Sequence, residues 1–354
     1  MTLLKIEDLR VYFNARGRIV KANNGVDLVI EENEILGLIG ETGCGKSILG
    51  RAIMGLLSEI AEIKGKILYR GENLLNLSED KMRQIRGKEI GLMLQNPSIS
   101  LNPVLTVGEQ VAEVYRYHEG IGKEEARKKA AETFKLVGID PKRMDEYPHQ
   151  FSGGMKQRVT IAIGLALNPR ILIADEPTTG LDSSMKKKIV DLMSELIRSR
   201  NMSMLLITHD LEVAKRMCDR IAVMYAGELL EIAPVEKILS EPKHPYTQDL
   251  LDSLPRRGLK PIPGASPSLT SLPSGCRFHP RCRYKSDGCS EKHPDMIEVE
   301  RLSNNHPAIN RNYTIVHTSK KKRFLSNSMH IYSQNFFQIA KIPLRGCLES
   351  LFTI

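Results

Sequence analysis

The run Gly40–Ser47, which reads GETGCGKS, constrains the fold of this chain more than any other stretch. It matches the pattern G-x-x-x-x-G-K-[ST] in full. The apolar run Ile35–Ile39 precedes it, and apolar residues recur at helical spacing from Ile48 to Leu57. A short apolar run fits a strand buried on both faces, so the segment predicts a strand, a glycine loop and a helix. We therefore expect an α/β domain that binds nucleoside triphosphate phosphates.

Backbone N–H groups of such a loop surround the phosphates. We expect Lys46 to reach the terminal phosphates and the Ser47 hydroxyl to bind Mg2+. The residues predicted around the nucleotide are Gly40, Glu41, Thr42, Gly43, Cys44, Gly45, Lys46 and Ser47.

Two further apolar runs, Arg170–Ala174 and Met204–Ile207, end in polar residues. Asp175 follows the first directly and is placed to hold Mg2+, and the next residue, Glu176, is free to polarise an attacking water. His209 lies near the end of the second, where ligands bind in parallel sheets, so we assign it to the γ-phosphate region. Acids that cap a helix and a structural histidine are the alternatives, and the glycine loop upstream favours catalysis.

A second anion site is indicated by Ser152-Gly153-Gly154, followed by a helical stretch. Adjacent glycines let a backbone approach a ligand closely, and a helix start presents free N–H groups. One triphosphate does not need two such sites from one chain. The second site therefore indicates a nucleotide held by another subunit.

Taken in order, these motifs resemble the nucleotide-binding subunit of an ABC transporter. The resemblance implies a P-loop NTPase (RecA-like) fold with an amino-terminal antiparallel β portion, a helical subdomain and an irregular carboxyl-terminal extension. It implies that Gln95 contacts Mg2+ and water and senses a membrane partner, that Ser152–Gly154 closes on the partner's ATP, and that Asp182 lies at the dimer seam. Phe13 would stack on adenine, with Tyr12 beside it; a strand residue packed in the core is the alternative for either ring.

A narrower resemblance, to oligopeptide and dipeptide importers, rests on five further segments. They are Asn96–Pro103, Thr106–Gln110, Tyr147–Phe151, Pro261–Gly264 and Gly275–Cys282. The implied function is ATP hydrolysis that energises import of di- or oligopeptides. Nickel or an oligosaccharide is the alternative solute, and an exporter or a soluble non-transport ABC ATPase is less favoured.

The same resemblance implies the partners of the chain. They are a second ABC ATPase subunit (a paralogue before a second copy), two membrane permease subunits and an extracellular solute-binding protein. The implied location is the cytoplasmic face of the cell membrane, as a peripheral subunit. No run approaches 18 uninterrupted apolar residues, so we expect no membrane span.

Composition divides the chain into four regions: a nucleotide core at 1–94 and 166–240, a helical subdomain at 95–165, a proline-rich extension at 241–304 and a basic tail at 305–354. The tail holds seven Lys or Arg residues and one acid, so it carries +6 of the formal +9. We interpret it as a disordered end or a stretch unrelated to the family, and expect no nucleic-acid partner. One helical face in the second region carries Ala126, Ala130, Phe134 and Val137.

Three cysteines, Cys276, Cys282 and Cys289, lie in the extension. The resemblance implies that such a region holds a [4Fe–4S] cluster, which generally needs four thiolates. The stretch from His306 to His317, where a fourth cysteine is expected, has none, and Cys347 is the only later one. Reduced free thiols, or a zinc site that uses His279 or His293, are the alternatives.

Overall fold

The computed structural model describes residues 1–15, 17–301 and 311–316. Its strands are β1 Thr2–Ala15, β2 Arg18–Glu31, β3 Ile35–Ile39, β4 Ala61–Tyr69, β5 Glu72–Asn73, β6 Ile90–Met93, β7 Ile171–Asp175, β8 Ser203–Thr208, β9 Arg220–Tyr225, β10 Glu228–Pro234, β11 Asp295–Arg301 and β12 Arg311–Val316. Its helices are α1 Lys46–Ile53, α2 Glu79–Ile85, α3 Pro97–Ser100, α4 Val107–Glu119, α5 Lys123–Leu136, α6 Gly153–Leu165, α7 Ser183–Ser199, α8 Leu211–Met217, α9 Val235–Ser240, α10 Pro245–Asp252 and α11 Gly288–Glu291. Among these helices none has the length and apolar character needed to cross a bilayer.

Two sheets organise the chain. Strands β1, β2, β4 and β5 form an antiparallel sheet in the order β2-β1-β4-β5. The larger sheet has the order β11-β12-β10-β9-β3-β8-β7-β6. Its five strands from β9 to β6 run parallel, and β10, β12 and β11 continue it antiparallel. The predicted α/β fold with an antiparallel amino-terminal portion is confirmed.

The parallel strands are apolar throughout because both faces of the sheet are covered. Every residue of β3, β7 and β8 is buried. Successive side chains point to opposite faces, so Ile35 and Leu206 join one hydrophobic cluster, while Leu36 and Leu205 join the other. The first cluster packs under the helices, and the second lies between the large sheet, α1 and the antiparallel sheet.

The region between β6 and β7 is mainly helical, as predicted. Helix α4 is capped at its start by Thr106, whose hydroxyl accepts a hydrogen bond from the Glu109 N–H, and at its end by Gly120. It packs against α5 and α6. The four residues predicted to share a face, Ala126, Ala130, Phe134 and Val137, are all buried.

The carboxyl-terminal extension is anchored on the large sheet by aromatic rings. Tyr246 of α10 and Phe278 are fully buried, and both rings contact Tyr225 of β9. Much of the segment is irregular, as its prolines predict. The hairpin of β11 and β12 was not predicted, and it adds two strands to the sheet beside β10. Residues 317–354, most of the basic tail, lie outside the described residues.

Candidate active site

The candidate residues of four segments meet at one edge of the large sheet. Strands β3, β8, β7 and β6 are consecutive neighbours and parallel. The carboxyl ends of parallel strands face the same edge, where ligands bind in open α/β sheets. Gly40–Ser47, His209, Asp175 with Glu176, and Gln95 follow these strands in that order, so the topology gathers them.

The glycine loop is held in shape by its neighbours. Gly45 has φ of 110°, and a β-carbon there would lie 2.2 Å from the Ala22 carbonyl oxygen, so no larger residue fits. The Asn23 amide donates to the Gly45 carbonyl at 3.2 Å. The buried Lys46 ammonium donates to the carbonyls of Gly40 and Glu41, both at 2.9 Å. The Lys46 side chain therefore ties the end of the glycine loop back to its first two residues.

Two oxygen ligands suited to Mg2+ lie together beside the loop. The Ser47 hydroxyl of α1 donates to Asp175 Oδ1 of β7 at 3.1 Å. Burial raises the pKa of Asp175, although the Ser47 hydrogen bond acts against this shift. Hydroxyl and carboxylate oxygens are the donors that Mg2+ prefers, and a triphosphate supplies more. The residues present therefore fit a magnesium ion shared with a nucleotide.

Glu176 is fixed by contacts on each side. Its Oε1 lies 2.7 Å from His209 Nδ1, and its Oε2 accepts a hydrogen bond from the Thr179 hydroxyl at 3.1 Å. Its φ of 49° is left-handed, which costs a non-glycine residue about 1–3 kcal/mol, and its N–H donates to the Ile207 carbonyl at 2.8 Å. Such strain persists where neighbours over-determine the backbone, which is common at functional positions.

Sequence reasoning missed Thr179 and Asn23. Neither belongs to a spacing pattern that indicates chemistry. Thr179 lies three residues after Glu176, and Asn23 precedes the glycine loop by many residues, so only the folded chain shows their contacts with the site.

The other residues predicted at the site, Gln95, Asp182 and Phe13, differ in burial and in hydrogen bonding. Gln95 is exposed just after β6. Asp182 caps α7 and accepts a hydrogen bond from the Met185 N–H at 2.9 Å. Phe13 is half-buried against the core of the antiparallel sheet, whereas the Tyr12 hydroxyl donates to Asn24. The packing of Phe13 leaves both the stacking role and the core role open to it.

The segment Ser152–Gly154 starts α6, with Ser152 and Gly153 exposed and Gly154 buried. The Ser152 side chain makes no capping hydrogen bond, and Gly153 has no atom nearer than Leu181 Cδ2, 3.9 Å from an added β-carbon. At Gly154 an added β-carbon would lie 2.5 Å from the Met185 sulfur, so a larger residue there requires the Met185 side chain of α7 to move. The nearest neighbours of both glycines belong to the chain after Glu176, and not to the glycine loop.

The structure does not support the iron–sulfur cluster expected at Cys276, Cys282 and Cys289. Among the described residues, no group of three or more His, Cys, Asp or Glu side chains is arranged to hold a metal ion. Burial raises the pKa of the Cys276 thiol to about 11. The Cys289 sulfur instead contacts the N–H and hydroxyl of Ser286. Cys347 lies outside the described residues.

Comparison with known proteins matches two family descriptions. "ABC transporter" covers residues 23–179, and "Oligopeptide/dipeptide transporter, C-terminal region" covers residues 230–289. The chain is 44% identical over 307 residues to the oligopeptide transport ATP-binding protein OppD of Bacillus subtilis, covering 84% of this chain and 86% of that protein. It is 44% identical over 301 residues to the dipeptide transport ATP-binding protein DppD of the same organism, covering 82% and 90%.

Solved structures give a consistent result for the fold. A dimeric, post-hydrolysis structure of the ATP-binding cassette MJ0796 bound to ADP and Pi is similar with a TM-score of 0.60 and 30% identity. The match covers 66% of this chain and 99% of that one. CbiO1 from Clostridium perfringens gives a TM-score of 0.58 and 28% identity, over 68% of this chain and 91% of that one.

Proposed function

This chain belongs to the ABC transporter family, among the ATP-binding subunits of oligopeptide and dipeptide importers, and we propose that it hydrolyses ATP at the β3–β8–β7–β6 edge to drive peptide import. One observation carries the proposal: the Ser47–Asp175 pair and the Glu176–His209 pair lie at the same edge as the glycine loop. A site for phosphates, a site for Mg2+ and a base for water are thereby assembled within one chain.

Phosphate binding falls to the glycine loop. Lys46 exchanges its bonds to the carbonyls of Gly40 and Glu41 for bonds to the terminal phosphates. Ser47 and Asp175 would hold Mg2+, which would neutralise charge on the phosphate oxygens. The phosphoryl transfer then needs mainly positioning and charge stabilisation.

Water activation falls to Glu176. Its carboxylate polarises the attacking water, while Thr179 and His209 fix the orientation of that carboxylate. The His209 side chain is half-exposed, so a γ-phosphate at this edge can reach it while it holds Glu176. Gln95 contributes a contact to the water and Mg2+ from the adjacent strand end.

The start of α6 acts on a different nucleotide. Ser152–Gly154 presents free donors away from the glycine loop of its own chain, so we assign it to the γ-phosphate of ATP bound by a second ATPase subunit. Asp182 lies at that seam, and Phe13 contacts adenine. A paralogue is the favoured second subunit.

Membrane partners dock on the segment that follows β6. Exposed apolar side chains are concentrated there: Leu94 is 40% exposed, Val104 75% and Ile99 81%. A cluster of apolar side chains on a solvent-exposed surface is typical of a protein interface. We assign it to two permease subunits, which places the chain at the cytoplasmic face of the membrane, with a solute-binding protein on the other side. We also propose that the boundaries between the four regions of the chain follow residues 94, 165, 240 and 304.

Replacing Glu176 with Gln tests the proposal. The purified importer complex is expected to bind MgATP as tightly as wild type and to lose ATP hydrolysis by about 100-fold or more, because the water loses its base. Binding is measured by calorimetry and turnover by phosphate release. Glu195→Gln, at an exposed position of α7, is the matched control and retains full turnover. Normal hydrolysis by Glu176→Gln would refute the assignment.

A further inference from the structure

The second residue of the glycine loop is bound by the carboxyl-terminal extension. Arg281 pairs with both carboxylate oxygens of Glu41: Nη1 lies 2.9 Å from Oε2, and Nη2 lies 3.0 Å from Oε1. The Ser266 hydroxyl also donates to Oε2. The two partners are 240 residues apart in the chain, so this paired contact joins the extension directly to the phosphate-binding loop.

The main chain of Glu41 is held as well. Its N–H donates to the Tyr246 hydroxyl at 3.1 Å, and its carbonyl accepts from Lys46 at 2.9 Å. Three residues of the extension, Tyr246, Ser266 and Arg281, therefore fix one loop residue. The Glu41 carbonyl is one of the two carbonyls that Lys46 binds.

Arg281 itself has little freedom to move. It is 9% exposed, and its Nε donates to the Pro263 carbonyl at 2.7 Å. Its guanidinium lies 5.7 Å from the ring centre of Tyr225 and 6.0 Å from that of Phe278, within cation–π range. A planar guanidinium braced in this way offers a preorganised fork to a carboxylate.

Charge gives the contact a consequence for nucleotide binding. Burial alone would raise the pKa of Glu41, but the hydrogen bonds from Arg281 and Ser266 outweigh it and lower that pKa. Glu41 is thus an anion in the loop that must accept the negative phosphates of ATP. Unless its charge is compensated, it opposes that binding.

We propose that Arg281 is a positioning residue of the phosphate-binding loop, which acts through Glu41 and allows the extension to set the affinity of this chain for ATP. The inference rests on the proposed nucleotide site and deepens it. Arg281 does not touch the phosphates in this proposal. It neutralises Glu41 and holds the loop in its receptive shape.

The test compares Arg281→Met with Arg283→Met in the full-length chain. Arg283 lies two residues away and pairs with Asp249 within the extension, so it is a matched control. Loss of a charged, bidentate partner is expected to weaken MgATP binding about tenfold or more for Arg281→Met, with Arg283→Met within about twofold of wild type. Calorimetry gives Kd. In the assembled importer, KM is expected to rise while kcat changes less.

A rescue separates positioning from general damage to the fold. In Arg281→Met with Glu41→Gln the uncompensated charge is gone, so affinity is expected to return to within about threefold of wild type. A double variant that binds no better than Arg281→Met would overturn the inference, as would equal Kd values for Arg281→Met and wild type. If Arg281→Met does not fold, the neutral but polar Arg281→Gln replaces it, and the same rescue by Glu41→Gln decides.

The outcomes also distinguish this inference from the proposed function. Failure of the wild-type chain to bind MgATP would contradict both. Tight binding by the wild type, with no difference between Arg281→Met and Arg283→Met, would contradict the inference alone.

Discussion

The phosphate-binding edge and the start of α6 differ in how far their polar groups are satisfied. At the edge, Lys46, Asp175 and Glu176 all have hydrogen-bond partners within the chain. At the start of α6, the Ser152 hydroxyl makes no capping bond and Gly153 faces open space. Helix starts leave N–H groups that need partners. The comparison fits our proposal that one chain holds most of one hydrolytic site and contributes part of a second site on another subunit.

The largest effect is expected from a change at the start of α6. Gly153→Trp fills the open space at the helix start, so the partner's γ-phosphate cannot approach the α6 donors. Turnover of the assembled importer is expected to fall about 100-fold or more, while MgATP binding by the isolated chain is unchanged. Phosphate release and calorimetry measure the two quantities.

Gly122→Trp provides the control for that variant. Gly122 also stands at a helix start, that of α5, with no atom within 4 Å of an added β-carbon. Turnover by Gly122→Trp should match wild type. Normal hydrolysis by the Gly153→Trp complex would mean that α6 does not act across subunits.

A smaller effect is expected from a change beside Glu176, at the edge of the large sheet. Thr179→Val removes the hydroxyl that holds Glu176 Oε2 and keeps the side-chain shape. The carboxylate then orients water less well, and kcat is expected to fall about tenfold with KM nearly constant. Steady-state kinetics of the importer measure both. Thr270→Val, at an exposed position, is the control, and an unaltered kcat for Thr179→Val would remove Thr179 from the site.

The smallest expected effect concerns how the extension is fastened, and it depends on pH. His293 Nε2 lies 2.9 Å from Glu228 Oε2, and this hydrogen bond raises the pKa of His293, with burial and Arg277 acting the other way. A raised histidine pKa contributes stability that is complete below the unfolded value, about 6.5, and is lost as pH rises through the folded value.

His293→Gln removes that contribution. Its Tm is expected to lie only about 1–2 °C below wild type at pH 6, since an ion pair with a half-exposed partner contributes little stability. This difference in Tm is expected to disappear as pH rises to 9, because His293 loses its charge. Differential scanning calorimetry at both pH values measures the gap. His149→Gln, at an exposed position, should show no such trend. A gap that widens with pH would contradict the assigned ion pair.

Sequence alone predicted the parts of the site that are local. The glycine loop and the strand ends at Asp175 and His209 are each encoded by a short apolar run and the residues next to it. The burial of Ala126 and Phe134 follows from helical spacing in the same way. Such patterns need no knowledge of distant contacts, which explains why the positions of these residues in the fold were predicted correctly, whereas their roles at the site stay predictions.

Contacts between distant segments were not predictable. The Glu41–Arg281 pair spans 240 residues, and no periodicity connects its partners. The β11–β12 hairpin depends on the pairing of β12 with β10, and no pattern in the hairpin's own sequence predicts that pairing. The cluster expected at Cys276, Cys282 and Cys289 is not supported for a related reason: spacing along the chain does not fix whether thiols meet in space, and the described residues contain no group arranged to hold a metal ion.

The central claim is that this chain binds ATP alone but hydrolyses it only when another subunit supplies the missing donors. The most direct test is the single-turnover rate of ATP hydrolysis per chain, measured on the dilute full-length chain and again after addition of the second ATPase subunit of the importer. We expect MgATP binding in both cases, negligible hydrolysis by the dilute chain, and a rise of about 100-fold or more with the partner. Full hydrolysis by the dilute chain, independent of its concentration, would contradict the account.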